Sequence, residues 1–352
     1  MGWYPHISTG KLSFYRTIPK VELHRHLEGS LRLETLLDVA RQHELTIPYA
    51  HFNSLVQMQQ SDPLTFANFL SKFQTLRMFY RSPEVIARIT REAIMDAAND
   101  GVTYMELRFT PVALSRLQGF SYGEVIDWVL QSTAEASHDF NMTTRLIVSV
   151  NRHEPVAVAE QVIRQAIDRK DRGIVGVDLA GSEVNYSALP FAGILREAQQ
   201  SGLHLTVHAG EWAGAENVRE AIEVMQAERI GHGVRVTEDA NTISLAAERG
   251  TVFEVCITSN MQSGVVPTGS PHPIATMIAS GLNTTINTDD PGISRITLTD
   301  EYRIAMEDIG LSPATITSCV LNGALGSFQP PSDRQALFSR LEPQLKSLFQ
   351  FP

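Results

Sequence analysis

Apolar residues along this chain recur with two periods, two and about 3.6, and the two alternate over most of its length. Pro19 to His26 reads PKVELHRH, whose alternation predicts a strand that places His24 and His26 on one face. From Leu31 to Asn99 the pattern is mostly helical and includes LTFANFLSKFQTLRMFY, which begins after Asp62 and Pro63. Phe66, Phe69, Leu70 and Phe73 recur there at helical spacing, a pattern that suits core packing and an apolar lid over a pocket equally. Beyond Gly101 strands are predicted at VTYMELRF, RLIVSV from Arg145, IVGVDLAG from Ile174, HLTVHAG, RIGHG, VFEVCITS from Val252 and NTTINTDD from Asn283. Helical patterns at Tyr122 to His138, Val156 to Lys170, Leu189 to Ser201, Ala215 to Gln226, Asp239 to Arg249 and Pro273 to Ser280 separate them. With the first run the strands number eight, and three further helical patterns follow Thr299. Repeated βα units of that number predict an α/β fold, a (β/α)₈ TIM barrel with extra helices after strand 1 and at the C-terminus. The residues ahead of Pro19 read as a polar, extended lead. No Pro, Gly or Ser-rich linker divides the chain, so a single barrel domain over residues 1–352 is expected.

In such barrels chemistry sits at the C-terminal strand ends, and the polar residues predicted there are His24, His26, Glu106, Asp178, His208, His232, Asp289 and Asp290. The stretch from His204 to Gly233 predicts strand, helix, strand, which brings His208, Glu211 and His232 to one rim. An isolated HxH is more often a packed histidine beside a surface one, but the downstream partners reverse that preference. Asp289 and Asp290, adjacent and before Pro291, would repel each other if both were buried without a cation. A set of three imidazoles and one carboxylate suits Zn²⁺, which lowers the pKa of a bound water from about 15.7 towards 7. The fourth strand offers no lysine to bridge two metals, so one ion per chain is expected. PCxxC does not occur, which excludes the cytidine-deaminase type of zinc site. Glu106 and Asp178 fit either of two tasks, orienting a ligand histidine or satisfying buried backbone groups.

Charge and composition narrow the partners. Of the 352 residues 43% are hydrophobic and 19% charged, which is globular usage and argues against disorder. A net charge of -10 disfavours nucleic acid and acidic membrane as partners. Cys256 and Cys319 make neither a disulfide framework nor a thiolate metal motif, which fits a reduced, cytoplasmic compartment. No apolar run reaches the roughly 18 residues of a spanning helix, and the N-terminal stretch lacks a signal-peptide core.

ELHRHLEGS, VDLAGSE, HAGEWAGAENVREAI, RIGHG, CITSN and NTDDPG resemble, in order and over nearly the whole chain, the adenosine deaminase family of aminohydrolases. The resemblance implies Zn²⁺ held by His24, His26, His208 and Asp289, with hydroxide attacking C6 of a 6-aminopurine. It further implies that Glu211 donates a proton to N1, His232 orients or deprotonates the attacking water, Asp290 bonds N7 and the Gly181 N–H meets N3. His26 and Glu28 fall among the substrate-facing positions. Nucleoside-specific members carry Asp where this chain has Glu28, whereas VDLAGSE and IGHG look like the nucleoside branch. Adenosine and 2′-deoxyadenosine are therefore the expected small-molecule substrates, with 6-aminodeoxyfutalosine, adenine and an N6-substituted adenine nucleotide as alternatives. A nucleotide ranks last, because no Lys or Arg cluster stands near the motifs. A metal-binding barrel without turnover is the rival of another class, and the intact Glu211, His232 and Asp290 argue against it.

Overall fold

A computed structural model describes residues 9–350, and in it the predicted alternation forms one sheet of eight strands in sequence order. They are β1 (Lys20–His26), β2 (Val102–Phe109), β3 (Thr143–Asn151), β4 (Ile174–Ala180), β5 (His204–Ala209), β6 (Arg229–His232), β7 (Val252–Val255) and β8 (Asn283–Ile286). Each pairs in parallel with the next. Their residues are buried on both faces, which is why the apolar runs are nearly continuous. Closure between β8 and β1 differs. The N–H of Leu23 donates to Asn287 Oδ1 at 2.8 Å, that of Asp289 to the His24 carbonyl at 2.9 Å, and that of His26 to the Asp289 carbonyl at 2.8 Å. The seam is thus made by the segment that follows β8, and Arg25 with Asp289 forms an isolated bridge there.

Helices Leu33–Gln42, Phe66–Leu76 and Pro83–Asn99 fill the excursion after β1, and Leu298–Arg303, Pro313–Gly326 and Pro331–Phe349 follow β8. Among the described residues no helix is long and apolar enough to cross a membrane. Several sequence expectations need correction. Residues 1–8 of the extended lead lie outside the described residues, and Thr9–Thr17 is helical. VFEVCITS is strand only to Val255, and Ile257–Gln262 is a helix. The buried carboxylate of Glu301 accepts the N–H groups of Ile257 at 3.0 Å and Thr258 at 3.1 Å, so a distant residue caps this helix. NTTINTDD stops at Ile286, and Asp289 adopts a left-handed φ of +64° that no strand allows. Gln226, also left-handed at φ +55°, lies beyond the helix Ala215–Glu223, and Lys170 belongs to a short 3₁₀ turn after Val156–Ile167.

The barrel interior is charged as well as apolar. Arg108, Arg229, Glu106 and Glu254 are fully buried within it. Arg229 donates from Nε to Glu254 Oε1 at 2.6 Å and from Nη1 to the Gly326 carbonyl at 3.0 Å, and it pairs with Glu106 Oε2 at 2.6 Å. Its guanidinium lies 3.5 Å from the centroid of the Phe328 ring. Glu106 also accepts the Tyr104 hydroxyl at 2.7 Å, so it belongs to this network and orients no ligand histidine. Removing the cation leaves Glu106 buried without its counter-charge, a loss of about 3–5 kcal/mol. Arg229→Ala should therefore show that drop in equilibrium denaturant unfolding, and an unchanged midpoint would contradict the network's role.

Candidate active site

The strand ends converge as the histidine spacing predicts. One ligand atom each from His24, His26, His208 and Asp289 lies within 4.8 Å of the others. Each of two histidines is oriented by a buried carboxylate: His24 Nδ1 lies 2.8 Å from Glu254 Oε2, and His208 Nδ1 lies 2.9 Å from Asp178 Oδ1. Both contacts leave Nε2 free. His24 Nε2 is buried without a hydrogen-bond partner, and its Asp289 Oδ1 neighbour at 3.2 Å is also 3.3 Å from His26 Nε2. Several basic nitrogens aimed at one carboxylate oxygen make a donor set that a cation completes. An overlapping group replaces His26 and His208 with His232 and Cys256. The cavity wall includes His26, His208 and Asp289 of the first set, and His232 and Asp289 but not Cys256 of the second.

Backbone strain accompanies the site. His232 and Asp289 hold φ of +60° and +64°, conformations that cost a non-glycine residue about 1–3 kcal/mol. Side chains from the helix Ile257–Gln262 secure both residues: Ser259 Oγ donates to Asp289 Oδ2 at 2.7 Å, and Asn260 Nδ2 lies 3.1 Å from His232 Nδ1. His232 Nε2 then sits 3.8 Å from Glu211 Oε2 and 3.9 Å from Asp289 Oδ2. Gly29 is needed for close approach, because a Cβ there would stand 1.7 Å from Asp290 Oδ1.

The four acids near the cluster titrate in opposite directions. Burial works against an ionised Asp289, but the close His24 ring and the charges of His232, His24 and His26 outweigh it and hold the carboxyl well below its usual range. Asp290 is pushed well above that range by burial, then by Asp289, Glu28 and Glu211. Burial, then Asp289 and Glu183, likewise raise Glu211 far above an ordinary glutamate. Burial lifts Glu28 to about 6. His232 is driven well below the ordinary imidazole value, chiefly by burial. Burial and acidic neighbours thus favour the protonated forms of Asp290 and Glu211, and burial favours the neutral form of His232.

A cavity of about 450 Å³ opens above these groups, within the size range of small-molecule sites. His208, His232, Glu211, Asp289 and Asp290 form its floor, with Gly181 and Glu28 on its walls. Phe66, Phe69, Leu70 and Phe73 supply its apolar side, and Phe66 lies 4.3 Å from the Trp212 ring. That helix face therefore walls the pocket, while Phe69 also joins the core. Glu28 spends one oxygen on the Thr110 N–H at 2.5 Å, and Oε2 is buried without a partner. Sequence reasoning missed Glu254, Ser259, Asn260, Glu301, Glu183 and Arg77. Glu183, Ser259 and Asn260 stand inside the quoted motifs VDLAGSE and CITSN, which was the available signal. Glu254 and Glu301 look like ordinary strand and helix acids.

A parallel barrel with buried histidines, aspartates and a glutamate gathered at its strand ends has the arrangement of a metal-dependent hydrolase. The comparisons carry this further. A model of the family described as adenosine deaminase matches residues 19–344, so the chain belongs to the adenosine deaminase family and is a hydrolytic deaminase. It is 35% identical over 323 residues to the adenosine deaminase of Serratia proteamaculans, covering 91% of this chain and 97% of that one. The solved adenine deaminase of Arthrobacter aurescens superposes with a TM-score of 0.86 at 25% identity, covering 94% of this chain and 99% of that chain. Arabidopsis ADAL complexed with IMP gives a TM-score of 0.84 at 26% identity, with the same 94% and 99% coverage.

Asp178 offers a test of the donor set, because it holds the His208 ring without touching the cavity. Asp178→Asn should weaken metal affinity by about 10 to 100-fold in titrations against a competing chelator. Wild-type affinity would count against the set.

Proposed function

We propose that this deaminase hydrolyses a 6-aminopurine nucleoside, adenosine or 2′-deoxyadenosine, to the 6-oxopurine nucleoside and ammonia. The observation that carries the reading is the convergence of Glu211, Asp290 and His232 on one cavity beside the donor cluster, where burial pushes both carboxyls up and the imidazole down. His24, His26, His208 and Asp289 are the residues that would hold the metal, and a borderline-soft nitrogen and carboxylate set favours zinc, one per chain. When bound, that ion supplies Lewis acidity and a water of lowered pKa.

The chain's own groups supply the rest. Glu211 donates its proton to ring N1, which draws electron density from C6 and makes that carbon electrophilic. Asp290, protonated, donates a hydrogen bond to N7, an acceptor that an ionised carboxylate would repel. The Gly181 N–H meets N3. His232 orients the attacking water, takes up one of its protons as the C6–O bond forms and passes it to the amino group, so that the C6–N bond breaks with ammonia leaving while the C6 hydroxyl proton returns to Glu211. Glu28, with Oε2 free beside His26, is placed to accept a sugar hydroxyl. Support for the nucleoside comes from the 35% identity to an adenosine deaminase over most of both chains. The buried, free Cys256 and Cys319 support a cytoplasmic setting.

A second reading, a 6-aminopurine nucleotide, is favoured by one observation. The Arg77 guanidinium lines the cavity and makes no hydrogen bond or ion pair among the described residues. The sequence argument against a nucleotide rested on the lack of such a cation near the motifs, and the helix Phe66–Leu76 delivers one. Its counterpart among the solved structures is ADAL, complexed with IMP.

Steady-state deamination of adenosine, 2′-deoxyadenosine, adenine, 6-aminodeoxyfutalosine, AMP and N6-methyl-AMP separates these readings, and the nucleosides should give the highest kcat/KM. Arg77→Ala should leave adenosine turnover unchanged. If AMP is instead preferred and that variant loses tenfold or more on AMP alone, the nucleotide reading replaces the first. Glu211→Gln should retain metal and lose about 10² to 10⁴ in kcat, the span of general acid–base catalysis. Near-normal turnover in the metallated variant would refute proton donation by Glu211.

A further inference from the structure

Between β5 and the helix Ala215–Glu223 runs the segment that carries Glu211. Its four successive N–H groups all reach the carboxylate of Glu183. Oε2 accepts from Gly210 at 2.9 Å, and Oε1 accepts from Glu211 at 2.7 Å, Trp212 at 2.6 Å and Ala213 at 3.0 Å. Asn217 Nδ2 donates a fifth bond to Oε2 at 3.1 Å. Consecutive amides arranged in this way form a concavity that attracts an anion. Here the chain supplies its own, from a side chain only 7% exposed.

Glu183 reaches this position because β4 ends at Ala180 and Gly181 turns the chain at φ +92°. On the opposite edge of the segment Arg235 holds two carbonyls, that of Gly210 through its N–H at 2.9 Å and that of Trp212 through Nη1 at 2.6 Å. The carbonyl side therefore has a cation and the amide side has Glu183. Glu183 does not line the cavity, so it acts on the substrate only through the segment it grips.

We infer that Glu183 is a positioning residue for deamination, whose carboxylate fixes residues 210–213 in the conformation that turns Glu211 into the cavity. This rests on the proposed role of Glu211 as proton donor. A misplacement of about 1 Å in a reacting group costs roughly 10²-fold in rate. Glutamine at 183 would keep the shape but exchange one acceptor oxygen for an NH₂ that faces N–H donors, so some of the five bonds must break. The negative charge of Glu183 is also one of the influences that keep the Glu211 proton bound, after burial and Asp289.

Glu183→Gln and Glu183→Asp are compared with the wild-type holoenzyme by three readouts. In the first variant kcat should fall roughly 10²-fold while KM moves less than about threefold, because ground-state contacts are spared. Metal content should stay at the wild-type level, since no donor belongs to the segment. Hydrogen exchange followed by mass spectrometry should show the 210–213 amides exchanging at least about tenfold faster, with the β5 amides unchanged. Glu183→Asp keeps the charge and should recover part of both the exchange protection and kcat, and it carries the test if the glutamine variant does not fold. Wild-type exchange at 210–213, near-normal kcat, or loss of metal in step with activity would each overturn the positioning role. If the wild-type protein deaminated none of the purines, the proposed function would fall and take the catalytic half of this inference with it. The exchange result would still decide whether Glu183 holds the segment.

Discussion

Much of this barrel hangs on the carboxylate of Glu254. Its two oxygens receive His24 Nδ1 at 2.8 Å, Arg108 Nη2 at 2.6 Å, Arg229 Nε at 2.6 Å and Thr206 Oγ1 at 3.0 Å. Those partners stand on β1, β2, β6 and β5, so with its own β7 one side chain gathers five of the eight strands. Four contacts fill the acceptor capacity of a carboxylate. Burial opposes its charge, yet Arg108, Arg229 and His24 hold Glu254 well below the usual glutamate range. A buried ion of this kind is weak evidence for net stability, but its loss would leave Arg229 with Glu106 alone and Arg108 with Asp178 alone as buried counter-charges. The same carboxylate also fixes the rotation of the His24 ring. Structural and chemical demands meet on it.

The strand ends divide negative charge unevenly. Asp289 lies among imidazoles that favour its ionised form, while Asp290 and Glu211 lie where burial and acidic neighbours favour the protonated form. The paired aspartates, which looked self-repelling in the sequence, are therefore unlike groups in the fold. Both line the cavity, but only Asp289 belongs to the donor cluster. Three positions of chain geometry make this possible: the left-handed Asp289, the left-handed His232, and Gly29, which leaves room for the Asp290 carboxyl.

The sequence made the architecture and the cluster legible because both follow periodic rules. Strand alternation placed His24 and His26 on one face, and eight βα repeats left little choice of fold. Residues that act across large sequence separations carried no such mark. Glu254 sits in VFEV as an unremarkable strand acid, and Glu301 lies far along the chain from the helix it caps, so VFEVCITS read as one strand. Asp178 was visible as a candidate, but only the observed contact to His208 separates orienting a ligand from satisfying backbone. Glu106, indistinguishable from it in the sequence, belongs to the interior ion network. Arg77 was invisible for another reason, since it stands in the helical excursion, remote from every motif.

The seam between β8 and β1 has a consequence for how the protein is made. The first two histidines of the cluster are synthesised with the first strand, whereas Asp289 follows the last, and its backbone also closes the sheet against β1. During translation the early strands therefore carry histidines with no carboxylate beside them. The full donor set appears only when the ring of strands closes, so the four-residue cluster belongs to the finished polypeptide and not to the nascent chain. A ribosomal product truncated before the eighth strand would have an open sheet edge and an incomplete cluster at once, which couples quality control of folding to competence for metal.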